Sequence, residues 1–276
     1  MHASEIRRLA EELLSVALAA ARAQMAHFGA GVAVEHKADD SPVTAADRES
    51  EEILLAGLAR AAPGVPVIAE EEVAAGRIPD ISGPFFLVDP LDGTKGFIKG
   101  KREFTINVAL VESQRPAFGL LYAAALSDFY VTLASDVAVN AALSPQSDAR
   151  RLADCAWRRL TARIPDPHAM VALTSQSHLN RATERFLASY NVVDRRALPS
   201  SLKFGLIAKG EADFYPRVGP TCEWDTAAGH AILAAAGGTV TRIDGKPLLY
   251  GNAAGRFESP DFVAWARGPM PQAREA

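Results

Sequence analysis

The run Asp89-Pro90-Leu91-Asp92-Gly93-Thr94 closes an apolar stretch, Phe85-Phe86-Leu87-Val88. It sets two carboxylates three residues apart where proline fixes φ and glycine lets the chain bend without a Cβ clash. A strand that ends in acids presents oxygen donors to a pocket at the sheet edge. Hard cations such as Mg²⁺ take such donors, and their usual work is on phosphate. Two further acidic points could complete the constellation: Glu70-Glu71 after Val67-Ile68-Ala69, and Trp224-Asp225 before the run Ala227 to Leu233.

Each piece also has a plainer account. Asp89 and Asp92 could be an ordinary aspartate-rich turn, and Glu70-Glu71-Glu72 a solvated loop. Asp225 opens a helix, where aspartate is a favoured N-cap. Asp47 follows Thr44 by three residues, the spacing of a capping box. Thr94 could cap a helical turn over 95–99, or that turn could offer the N–H groups of Gly93 and Thr94 to a phosphate oxygen. The lone histidines His178 and His230 read as structural groups. Cys222, three residues before Asp225, reads as a buried thiol near the pocket. Walker A, GxGxxG, HExxH and GxSxG patterns are lacking, so kinase, dinucleotide and hydrolase-triad chemistry has no foothold.

The elements that must position these groups follow from periodicity. Apolar residues at helical spacing predict helices over 4–28 and 44–61, the second capped by Thr44 and stopped by Pro63-Gly64. Strands are expected over 32–35, 66–69, 85–88, 104–111 and 117–122, with a hairpin of 129–133 and 137–141 turning at Ser135-Asp136. That half mixes two long helices with a mostly antiparallel sheet, an α+β pattern. The second half alternates: strands over 169–173, 191–193, 212–215, 240–241 and 262–264, and helices over 180–189, 201–209 and 225–236. The polar, proline-bearing stretch 144–167 suggests two lobes, residues 1–144 and 145–276. Residues 268–276 read as a frayed tail.

The chain has 276 residues, 49% hydrophobic and 22% charged, with a formal net charge of -4. This is globular composition, and a mildly acidic balance argues against non-specific nucleic-acid binding. Scattered arginine pairs read as solvated helix faces. Two cysteines, Cys155 and Cys222, build no disulfide framework or zinc site and fit a reducing compartment. The N-terminal helix is interrupted by Glu5, Arg7, Arg8, Glu11 and Glu12, which excludes a secretory signal, and 13–21 is too short to span a bilayer. A cytoplasmic protein is expected, with peripheral contact with the inner membrane left open.

The ordered set Asp47, Glu70-Glu71, DPLDGT at 89–94 and WDTAA at 224–228 resembles the lithium-sensitive magnesium phosphatases, the superfamily of inositol monophosphatase and fructose 1,6-bisphosphatase. The resemblance covers about residues 5–265. The longer phrases DPLDGTKGFIKGKREFTINVAL and SSLKFGLIAKGEADFYPRVGPTCEWDTAAGHAIL are similar to the bacterial 3'(2'),5'-bisphosphate nucleotidase branch. Gly96 stands where that branch usually has glutamate, and Pro199 where it usually has glycine. The resemblance implies an α+β, α/β chain folded as a layered αβαβα sandwich. It implies that Glu70, Asp89 and the Leu91 carbonyl hold one Mg²⁺, that Asp89, Asp92 and Asp225 hold a second, and that Glu70 reaches a weaker third through water. Glu70, Thr94 and Asp47 would serve catalysis, with Thr94 oriented by Asp47. Substrate contacts would come from Glu70, Leu91, Asp92, Gly93, Thr94, His178, Ser200, Lys203, Arg217 and Asp225. The implied reaction is hydrolysis of a nucleotide bisphosphate, 3'-phosphoadenosine 5'-phosphate, with inositol 1-phosphate or another sugar phosphate as the alternative. Inhibition by lithium belongs to the same expectation, and relatives occur as monomers and homodimers.

Overall fold

Two large sheets and three helical layers alternate through the molecule, beside a separate two-stranded ribbon. The computed structural model describes residues 1–29, 34–37 and 42–268. The chain runs α1 (Ala3–His27), β1 (Val34–His36), β2 (Pro42–Thr44), α2 (Ala45–Ala61), β3 (Val67–Ala69), α3 (Glu70–Ala74), β4 (Phe85–Asp92) and α4 (Thr94–Ile98). It continues through β5 (Thr105–Glu112), β6 (Arg115–Ala123), β7 (Asp128–Ala134), β8 (Val137–Ala142) and β9 (Arg158–Arg159). The remainder is β10 (Met170–Ser175), α5 (Arg181–Ala188), β11 (Val192–Leu198), α6 (Leu202–Ala208), β12 (Phe214–Arg217), α7 (Ala227–Ala235), β13 (Thr239–Arg242) and β14 (Phe262–Trp265).

Strands β3 to β9 form a seven-stranded sheet in chain order, parallel at β3–β4 and antiparallel elsewhere. Strands β11-β10-β12-β14-β13 form a five-stranded mixed sheet. The apolar stripe of α1 (Leu9, Leu13, Leu14, Ala17, Leu18) and α2 cover one face of the larger sheet, against Phe86, Val88, Phe118 and Leu120. Its other face, with Phe85, Leu87 and Leu121, meets α6 and α7, which also meet the smaller sheet through Phe262 and Ala264. Helix α5 closes the stack with Leu187 on Phe214 and Trp265. The order is αβαβα, as the resemblance implies. Because both faces of β4 are covered, its sequence is continuously apolar instead of alternating.

Three local readings differ from the structure, and a fourth is only partly described. Asp225 does not begin the last long helix: it ends a 3-10 turn, Glu223–Asp225, and Thr226 stands at the N-cap of α7. Glu70 to Glu72 are the first turn of α3, not a loop. Strand β11 runs five residues past its expected end because Asp194, Arg195 and Arg196 lie on an exposed edge, where charge does not oppose pairing. The expected strand over 32–35 is described from Val34 onward, and residues 32, 33 and 269–276 lie outside the described residues.

Helix α7 lies so close on β6 that a Cβ built on Gly119 would stand 2.3 Å from the Ala228 carbonyl oxygen and 2.9 Å from the Ala231 Cβ. That approach fixes where the turn carrying Asp225 meets the sheet. Substituting Gly119→Ala should therefore push α7 outward and destabilise the fold by about 1–3 kcal/mol. Thermal denaturation should show a midpoint lower by roughly 2–4 °C per kcal/mol; an unchanged midpoint would contradict the close approach.

Candidate functional site

In a regular strand, residues three apart face opposite sides. Asp89 pairs with Asn107 and Asp92 with Thr105, so three steps on β4 match two on β5. This bulge changes the parity, and both aspartates face the side shared by Asn107 and Thr105. Gly93 follows with φ of 101°, a left-handed turn that favours glycine, and α4 starts at Thr94. Strand β3 lies parallel to β4 with Ala69 opposite Val88, which brings Glu70 beside Asp89. The 3-10 turn before α7 supplies Asp225.

These groups line one cavity of about 800 Å³, within the range of small-molecule sites. Glu70, Asp89, Leu91, Asp92, Gly93, Thr94, His178, Ser200, Lys203, Arg217 and Asp225 all border it. Asp47 stands behind Thr94. Its carboxylate accepts from the Thr44 N–H at 2.8 Å, the Thr44 hydroxyl at 2.7 Å and the Thr94 hydroxyl at 3.0 Å. The capping geometry and the link to Thr94 therefore coexist in one side chain. His230 lies off the cavity, bonded to the Tyr250 hydroxyl at 3.0 Å and pushed down to about 3 by burial. Cys222 borders the cavity, and burial raises its thiol pKa.

Burial raises the carboxyl pKa of Glu70, Asp89 and Asp92, and the neighbouring carboxylates act in the same direction. Asp89, 1% exposed, is raised well above its usual range, first by burial and then by Glu70, Asp92 and Asp225. Burial and Asp225 push Asp92 up to about 7. Burial pushes Glu70 up to about 8 against the pull of Lys37. Each acid takes a donor on its own wall. Glu70 and Glu71 each meet Lys37 Nζ at 2.6 Å. Asp92 accepts the Ser201 N–H at 2.5 Å, and Asp225 accepts from the Thr221 hydroxyl at 2.6 Å and the Cys222 N–H at 3.0 Å. Drawn to those walls, the side chains gather into no group of three that could hold a metal ion among the described residues. The donor chemistry nevertheless fits a hard divalent cation: all the donors are oxygens, in a buried set whose like charges need compensation.

The same cavity also holds two buried cations. Lys203 is 3% exposed and donates to the Leu198 carbonyl at 3.1 Å and to the Ser200 carbonyl. Burial lowers it to about 8, with Asp92 and Asp225 opposing. Arg217, 6% exposed, donates Nη2 to the Pro220 carbonyl, while its buried Nε has no partner. Ser200 holds a left-handed φ of 55° after Pro199, and burial lowers the His178 pKa, with Arg217 acting the same way.

The sequence reading did not single out several contributors. Lys37 carried no motif. Thr105 and Asn107 sit in an apolar strand, and nothing in their spacing shows that Ser201 bonds both, at 2.8 and 2.6 Å. Lys95, Lys99 and Lys101 also border the cavity; three lysines within seven residues after DPLDGT were the available signal. No carboxylate pairs with these three among the described residues.

A family model, the inositol monophosphatase family, matches residues 2–266. Among curated proteins, the 3'(2'),5'-bisphosphate nucleotidase CysQ of Shigella flexneri is 39% identical over 217 residues, 79% of this chain and 82% of that protein. CysQ of Escherichia coli K12 is 38% identical with the same coverage. Among solved structures, CysQ from Bacteroides thetaiotaomicron superposes with a TM-score of 0.77 at 32% identity, covering 95% of this chain and 98% of that one. The Thermotoga maritima IMPase, at 24% identity and a TM-score of 0.72, shares the fold.

The raised carboxyl pKa values set a sign for stability. Glu70 moves from 4.5 to about 8, and Asp92 from 3.8 to about 7. Across that window the folded chain holds more protons than the unfolded one, so rising pH favours unfolding. In a chelator, the thermal midpoint should fall from pH 5.5 to pH 8, and added Mg²⁺ should narrow the difference. A midpoint that rises over this interval in chelator would contradict the shared burial of these acids.

Proposed function

This chain belongs to the inositol monophosphatase family, and we propose that it is a Mg²⁺-dependent phosphatase that converts 3'-phosphoadenosine 5'-phosphate to AMP and phosphate. The observation that carries the reading is the pair of buried cations, Lys203 and Arg217, that border the same cavity as the acids. A monophosphate needs the floor alone. A second phosphate needs positive charge of its own, and these side chains supply it. The CysQ relatives bear the name of the same activity.

In this reading Glu70, Asp89 and the Leu91 carbonyl would hold one Mg²⁺, and Asp89, Asp92 and Asp225 would hold a second. Bound there, the ions would neutralise phosphate oxygens and acidify a water. The remaining work belongs to side chains. Thr94 Oγ1, held 3.0 Å from Asp47 Oδ1 and 3.0 Å from the Leu91 carbonyl oxygen, has a fixed lone pair to orient the attacking water. Glu70 takes the proton of that water, or the Thr94 hydroxyl takes it while passing its own proton to the Asp47 carboxylate. Asp225 stands by the departing 3'-oxygen, and Ser200 and His178 border the nucleoside end. Such a site neutralises and orients, as phosphoryl transfer demands.

Phosphate release should be measured from 3'-phosphoadenosine 5'-phosphate and inositol 1-phosphate side by side, with and without Mg²⁺. The bisphosphate should be preferred, and release should require the ion; preference for the inositol ester would replace the reading with a sugar-phosphate one. Asp92→Asn should lower kcat by about 10²–10³-fold or more and leave the fold intact. Lys203→Ala should erode the preference for the bisphosphate, and an unchanged ratio would remove the role given to the second phosphate.

A further inference from the structure

Two polar side chains cross the apolar layer beneath the larger sheet to reach a single backbone atom. Gln24 on α1 and Ser50 on α2 are both fully buried. Gln24 Nε2 donates to the Pro90 carbonyl oxygen at 2.6 Å, and Ser50 Oγ donates to the same oxygen at 3.1 Å. Pro90 lies inside the bulge, between Asp89 and Leu91. The far side of the same peptide unit is also held, since the Leu91 N–H donates to Asp89 Oδ1 at 2.9 Å. The next carbonyl, that of Leu91, accepts from Thr94 Oγ1.

We propose that Gln24 and Ser50 are positioning residues that lock the Pro90–Leu91 peptide plane, so that the Asp89 carboxylate and the Leu91 carbonyl oxygen are aimed for divalent-cation binding. The inference rests on the reading of the carboxylate cavity as a metal site. A bulge has lost part of its ladder bonding, so its peptide planes need other anchors. Two helices seated on the sheet provide one from below. Gln24 also bears a sign of a role beyond packing. Its Oε1 is buried with no hydrogen-bond partner, a destabilising arrangement that an apolar side chain of similar volume would avoid. The amide is thus placed for what its NH₂ group holds.

The test compares the full chain with Gln24→Met, Ser50→Ala and the double variant. Mg²⁺ and Mn²⁺ binding is read by calorimetry, and the thermal midpoint is read in chelator. Gln24→Met should keep or raise the midpoint, since the orphaned oxygen is gone. Yet it should weaken cation binding by about 10–100-fold, as loss of outer-sphere support does. Ser50→Ala should weaken binding in the same direction, so the inference does not depend on one variant folding. The double variant should be non-additive, because both groups act on one oxygen. Variants that bind the cations like the parent, whatever their midpoints, would overturn the proposal while leaving the metal site standing. A parent that binds no divalent cation would overturn both.

Discussion

Four acids share one cavity, and their partial burial and mutual repulsion are the constraint around which the molecule is arranged. Isolated carboxylates lose hydration on burial and resist ionisation, and like charges nearby deepen the effect. Here Asp89, Asp92 and Glu70 are all raised in this way. The fold offsets the strain locally with donors of its own: Lys37 for Glu70, the Ser201 N–H for Asp92, Thr221 for Asp225. It also provides a cationic wall in Lys203 and Arg217. The cavity therefore holds both signs of charge together.

The apolar layers make that arrangement affordable. The larger sheet is covered by α1 and α2 on one face and by α6 and α7 on the other, and the acids stand at its edge where β4 ends. Donors reach the site from nearly every layer. Ser201 joins the start of α6 to Asp92 and to Asn107 on β5, and Glu51 on α2 accepts the Glu71 N–H at 2.9 Å. Bonds of this kind tie the helices to the larger sheet through the site itself.

Much of this was legible in the residues. The acids at strand ends, the glycine turn and the ordered motifs identified the chemistry, and hydrophobic spacing located the long helices and most strands. The parity of β4 was not legible. Asp89 and Asp92 at a spacing of three should face apart, and only the register against Asn107 and Thr105 reveals the bulge. Lys37, Gln24 and Ser50 act through contacts far along the chain, for which no local pattern exists. Asp225 read as a helix N-cap because aspartate favours that position; the 3-10 turn before α7 depends on how the helix seats against Gly119, a tertiary fact.

The middle helical layer carries a further consequence for biosynthesis. Strands β3 to β8 are complete by residue 142, whereas α6, which helps cover their second face, begins at Leu202. A ribosome adding about 5–20 residues per second would take roughly 3–12 s to supply the missing stretch. Throughout that interval Phe85, Leu87 and Leu121 have no helix to meet. Nascent chains of this architecture therefore pass through a sticky adolescence, in which a chaperone's grip or a neighbouring polysome's chain competes for the same bare surface.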